Sequence, residues 1–269
     1  MKTKFSVLFF VLLCLTASQA WGHHIWLNMT NHTPALWQHQ KYAPEPRAKT
    51  VVYVGWGDFY PLEDFMSDRF WGGLHRIEPD GTRVEMETVA AGYRAVRHDM
   101  YTVGPRIFAA QVKPAFFDPV KEREGFFRVY YEQYAKALVS VLPQDTTPLD
   151  AVDSDSFTSP IGQKVEIVPS VNPNRLQPGD TLQVQVLVEG APAADFEVYA
   201  LNLASPNAKK YETRTDEAGK ATLRLETFYG PWIVTARHGF PATGEIAEKA
   251  ETVSYTATMT FALPYVAKE

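Results

Sequence analysis

Residues 181–188 read TLQVQVLV. Leu182, Val184, Val186 and Val188 fall on one side of an extended chain, and Gln183 and Gln185 on the other, because successive side chains of a strand point to opposite faces. That is a strand with one buried face. Pro178-Gly179-Asp180 opens it and Gly190 closes it, both with turn chemistry. Outward from it, runs rich in β formers recur at residues 165–168, 196–203, 210–215, 220–225, 232–237 and 254–263. Turn residues separate them, notably 216–219 and Gly230-Pro231. About seven short strands in about 100 residues predict an immunoglobulin-like or transthyretin-like β-sandwich over 163–269.

Upstream, residues 143–162 turn to Asp, Ser, Thr and Pro (QDTTPLDAVDSDSFTSPIG from 144). Such a composition buries little apolar surface and is read as a linker or long loop. Before it, residues 21–142 form an N-terminal β-rich domain. TVVYVGWGDFYPLEDF (50–65) is a strand that stops at Gly55 and Gly57, followed by a loop. Further strands are expected at 73–77, 82–89 and 106–113, the first two joined by the turn Pro79-Asp80-Gly81. FFRVYYEQYAKALVSV (126–141) carries strand formers early and helix formers late, and its periodicity does not choose between them. The expected class is mainly β.

The chain has 269 residues, 45% hydrophobic and 21% charged, with 19 Pro and 16 Gly. It can bury a substantial core, and it is not a helical bundle. A formal charge of −5 with no basic block argues against nucleic acid as a partner. At the N-terminus, Lys2 and Lys4 precede an apolar run from Phe5 to Ala17, and small residues lead to Trp21. That pattern is a secretory signal peptide over 1–20. The run is too short to cross a bilayer, which needs about 20 apolar residues, and no later stretch is longer, so no stable membrane insertion is expected. The expected compartment is the periplasm. The single cysteine, Cys14, would leave with the leader, so a metal site in the mature chain must use imidazole, carboxylate, thioether or backbone nitrogen.

The stretches EIVPSVNPNRLQPGDTLQVQVLVEGAPAADFEVYA (166–200), TDEAGKATLRL (215–225) and GPWIVTARH (230–238), with YVGWGDFYPLEDF (53–65) and YAKALV (134–139), resemble one family. It is a family of exported proteins of unknown function, also described as NikM/NikK-like periplasmic components of nickel and cobalt uptake. The resemblance covers nearly the whole mature chain. It implies a β-rich first part, a sandwich second part, and nickel or cobalt as cargo or signal, with a membrane transporter as partner. Similar members often carry a His after the Gly-Trp-Gly; here that position is Asp58.

All seven histidines lie in the mature chain, at 23, 24, 32, 39, 75, 98 and 238, and four crowd residues 23–39. If the leader is cut after Ala20, the new amine of Trp21 is followed by Gly22 and His23. An amine, two backbone amides and a third-position imidazole can wrap Ni²⁺ or Cu²⁺ in a square plane. If the cut follows Gly22, His23 becomes the terminus and its amine and ring can brace a metal together with a second His. Both put an imidazole beside a new amine, with His24 within reach. The competing reading makes His23 and His24 exposed terminal residues without a ligand role.

His98, in RHDMY, and His238, on the face of Trp232, Val234 and Ala236, are the other candidate ligands, each also readable as a packed residue. His32, His39 and His75 read as surface residues. Asp58, Glu63 and Asp64 form an acidic loop able to offer oxygen ligands, with turn capping the favoured role. The neighbouring aromatics Trp56, Phe59, Tyr60, Phe65, Phe70 and Trp71 read as core or interface.

No G-x-S-x-G, H-E-x-x-H or phosphate loop occurs, so the expected protein is not an enzyme. The expected function is a periplasmic protein that holds a divalent metal, nickel or cobalt with copper as a further option, for a membrane transporter. Its rivals are a metal-free adhesion or carbohydrate-binding sandwich and a copper oxygenase built on an N-terminal histidine brace.

Overall fold

The computed structural model describes residues 23–91, 93–117, 127–147, 155–205, 209–226 and 228–265. The expected leader and its alternative cleavage points lie outside them. The first half contributes β1 (His24–Met29), β2 (Trp37–His39), β3 (Ala43–Gly57), β4 (Trp71–Ile77), β5 (Arg83–Met86) and β6 (Val89–Ala91). It continues with β7 (Tyr93–Met100), β8 (Gly104–Val112), β9 (Ala115–Phe117) and β10 (Phe127–Val141). After a one-turn helix α1 (Asp155–Thr158) come β11 (Val165–Pro169), β12 (Thr181–Val188), β13 (Ala191–Pro192), β14 (Glu197–Asn202), β15 (Tyr211–Arg214) and β16 (Lys220–Arg224). The last elements are β17 (Gly230–Pro241), α2 (Gly244–Ala247) and β18 (Ala250–Leu263). Among the described residues, no helix is long and apolar enough to cross a membrane.

These strands make three sheets, and the mainly-β expectation holds. A nine-stranded sheet runs β15-β14-β17-β18-β10-β8-β4-β5, with β9 on β10. A five-stranded sheet (β1, β3, β7, β6 and β2) covers one of its faces, and a four-stranded sheet (β11, β12, β13 and β16) covers the other. Side-chain alternation shows the layering. On β10, Ala135, Ala137, Val139 and Val141 join Ile25, Leu27, Val52 and Val54 in one core. Leu138 points the other way and joins Val165, Ile167, Leu182, Val184 and Val186 in a second. On β18, Ala257, Met259, Phe261 and Leu263 line this second core. Between them, the Thr258 and Thr260 hydroxyls donate to the Ile25 and Leu27 carbonyls of β1, at 2.8 and 2.7 Å.

The two halves share the central sheet. β10 pairs in parallel with β18, from Phe127 opposite Ala250 to Ala137 opposite Thr260. Beyond Ala137, segment 32–36 takes over the edge of β10: Ser140 N–H donates to His32 O, and Leu36 N–H to Leu142 O. Of the connection expected over 143–162, residues 148–154 lie outside the described set. Contrary to the solvated reading of the rest, Phe157 is fully buried in the second core, with Ile161 packed against it. A polar average concealed two apolar anchors.

The phrase around Asn172 is structural. Asn172 Oδ1 accepts from Asn174 N–H in a 3₁₀ turn, and Asn174 Nδ2 donates to Leu138 O and Ser140 Oγ of β10. Asn174 Oδ1 accepts from Ala262 N–H of β18. One buried side chain thus ties the two strands at the seam between the halves.

Candidate metal centre

β1 and β3 pair in register with His24 opposite Gly57 and Trp26 opposite Gly55, so the start of β1 lies beside the end of β3 and the acidic loop that follows it. The Trp26 indole is fully buried and lies over Gly55, where an added Cβ would come within 2.0 Å of its ring. From there it donates to Pro61 O at 3.2 Å and meets the Tyr60 ring edge-on at 4.6 Å. Asn28 Nδ2 donates to the same carbonyl at 3.0 Å. The loop is therefore held by β1. Gly55→Ala should cost about 1–3 kcal/mol by overpacking, read as a lower urea midpoint, because the indole cannot yield without releasing residues 58–63.

Within this frame His23, Asp58 and Glu63 each bring a ligand atom within 4.8 Å of the others. His23 Nε2 and Asp58 Oδ2 are 3.7 Å apart, both side chains about two-fifths exposed. Glu63 folds back over Gly57, whose φ of +136° suits glycine, and accepts from Asp58 N–H and, at 3.1 Å, Phe59 N–H. The capping role expected of the acidic loop belongs to Glu63, and capping leaves it beside His23. Partial burial raises the Asp58 carboxyl pKa, and the His23 ring opposes the shift. One imidazole nitrogen and two carboxylates suit a borderline divalent ion such as Ni²⁺, Co²⁺ or Zn²⁺.

The other expected ligands go elsewhere. His24 points to the opposite side of β1 from His23, is buried, and shares a 2.7 Å hydrogen bond between Nε2 and the Tyr60 hydroxyl. Burial, then the Arg237 charge, lowers its pKa to about 4, so it is neutral. It borders the cluster without joining it. His98 sits opposite Thr50 on β3, about seven residues and about 23 Å from Gly57 at ~3.3 Å per residue. Its Nδ1 accepts from Arg76 at 2.9 Å, and burial with that charge lowers its pKa to about 4. His238 lies on the second-core side of β17, where it donates Nδ1–H to Asp195 O and packs on Phe196 and Phe240. Alternation places its neighbour Arg237 on the side of the cluster.

Two surface readings also change. His32 is 3% exposed and donates Nδ1–H to Leu138 O at 2.8 Å; His75 is half-buried, while His39 is exposed. Of the loop aromatics, Trp56 is core, whereas Phe59 and Phe65 face solvent, 71% and 51% exposed. Composition had grouped them because all six lie close in sequence, although the loop turns two outward.

The sequence matches the model of a domain of unknown function, DUF4198, over residues 20–239. No curated protein matches it. Among solved structures, it is similar to the D0-D1 domain of Intimin, at 14% identity over 89% of this chain and 98% of that one, with a TM-score of 0.24. A tetra-tandem repeat from the extending region of a large adhesion protein matches at 11% identity, 91% and 50% coverage and a TM-score of 0.24. Escherichia coli alpha-2-macroglobulin matches at 11% identity and a TM-score of 0.26, over 90% of this chain and a fifth of that one. Likenesses at this level carry no functional information.

Proposed function

This chain belongs to the DUF4198 family of domains of unknown function, and from its own residues we propose that it is an exported protein that holds a divalent transition metal for a membrane transporter. The observation that carries the reading is the convergence of His23, Asp58 and Glu63, from β1 and the loop after β3, within 4.8 Å. The resemblance to nickel and cobalt uptake components supports Ni²⁺ or Co²⁺ as cargo and the periplasm as the compartment. Asp58 stands where similar members carry His, and it lies at the cluster. Leader cleavage after Ala20 would place a terminal amine two residues before His23, adding a nitrogen donor to the imidazole and the carboxylates.

Calorimetry of the mature protein with Ni²⁺, Co²⁺, Cu²⁺ and Zn²⁺ at neutral pH tests the proposal. Stoichiometric binding is expected. His23→Ala combined with Asp58→Asn should weaken it by about a hundredfold or more, since even residues that merely orient ligands are worth 10–100-fold. His98→Ala, about 23 Å along β3 from Gly57, and His238→Ala, on the other face of the central sheet, should leave affinity unchanged. A flat titration for all four ions would overturn the reading in favour of a metal-free binding module.

A further inference from the structure

Asp58 and His24 also border a cleft of about 440 Å³ between the loop and strands β14 and β17 of the central sheet. That is within the ~300–1,000 Å³ span of small-molecule sites. Its lining is asymmetric. Asp58 is the single carboxylate among the described lining residues; Lys210, Arg237, Ser205 and the Tyr199 hydroxyl supply donors. Lys210 and Arg237 are held by Glu197, with Arg237 Nη2 at 2.8 Å and Nε at 3.2 Å from its carboxylate and Lys210 Nζ at 3.4 Å. Glu197 is not itself part of the lining. Lys210 also meets Glu212. The two cations are thus fixed in place, and their N–H groups border the space next to the metal cluster.

A hydrated dication requires no cavity of this size, and the cationic side chains that border it, each already paired with a carboxylate, present N–H groups of the kind that recognise an anion rather than a metal ion. A carboxylate-bearing molecule that chelates the ion fills the cleft and finds charge-assisted donors there. We propose that the site takes its metal as a chelate with a small carboxylate-bearing molecule, the ion at His23, Asp58 and Glu63 and the organic ligand in the cleft against Lys210 and Arg237. This rests on the metal reading above and specifies its substrate class.

Equilibrium dialysis of the mature protein with Ni²⁺ alone, with radiolabelled citrate or histidine alone, and with each mixture at equimolar ratio tests the inference. At least one organic ligand should be retained together with Ni²⁺ in a one-to-one ratio, and neither without it. Lys210→Gln should lower that co-retention about tenfold, the worth of one charge-assisted hydrogen bond, whereas Lys220→Gln, outside the cleft, should not. If both chelators strip Ni²⁺ from the protein, or are retained without it, or if Lys210→Gln changes nothing, the chelate proposal falls while binding of Ni²⁺ alone still stands. If Ni²⁺ is retained in no arm, the metal reading falls with it.

Discussion

Glu166→Gln should lower the unfolding free energy by about 3–5 kcal/mol, because it leaves a buried ammonium without its counter-charge. Lys136 and Glu166 are each 1% exposed, 2.7 Å apart, between the central sheet and β11. Burial lowers the Lys136 pKa, and the Glu166 charge opposes the shift. The carboxylate also accepts from Ile161, Gly162 and Gln163 N–H at 2.8 to 3.3 Å, so it fixes the segment leading into β11. A carboxamide has one oxygen for these donors and turns an N–H₂ toward the rest. Urea unfolding followed by circular dichroism gives the difference directly. The double replacement Lys136→Met with Glu166→Leu should recover much of the loss, since well-packed apolar pairs often equal or exceed a buried ion pair. A shift under about 1 kcal/mol for Glu166→Gln would mean that solvent reaches the pair.

Acid should weaken the fold through His32 by about 3 kcal/mol between pH 6.5 and pH 4. Burial lowers its pKa from 6.5 to about 4, only partly offset by the hydrogen bond to Leu138 O. The unfolded chain therefore binds a proton over this window that the folded chain refuses. Stability is fully present above pH 6.5 and is lost as pH falls toward 4. His32→Gln should be less stable at neutral pH yet show a flatter dependence over the same range. Urea midpoints at a series of pH values give both slopes, and equal slopes for the two proteins would assign the acid sensitivity to other groups.

The sandwich strands were legible where one face meets water. β12 follows the alternation of Leu182, Val184 and Val186 against Gln183, and its observed limits equal the expected ones. β10 was ambiguous because both of its faces are covered: Leu138 enters one core and Ala137 and Val139 the other, so no period-two pattern survives. β1 was missed for the same reason, with all six residues buried and two histidines at its start masking an apolar strand. His32 read as surface because Pro34 and polar neighbours describe a loop. Nothing local reveals that this loop completes the edge of a strand more than a hundred residues away.

At the candidate site, the histidine crowding drew attention to His23, which lies beside Asp58 and Glu63. The grouping with His24, His98 and His238 rested on adjacency to a new amine and on neighbours in sequence, and the folded strands send these side chains to different faces. Asp58 and Glu63 were visible as acidic residues, but only the hairpin-like return of the loop onto β1 sets them beside an imidazole. Arg237 and Lys210 carried no local pattern. They reach the cleft through β14, β15 and β17, strands brought next to the first half by the central sheet.

The parallel pairing of β10 with β18 has a consequence for biogenesis. During synthesis β10 appears more than a hundred residues ahead of the strand it must adjoin. Loop-closure entropy makes such distant pairing slow. The central sheet is therefore completed only once its last strand is available, and until then the apolar faces that β18 helps to cover stay open to other contacts.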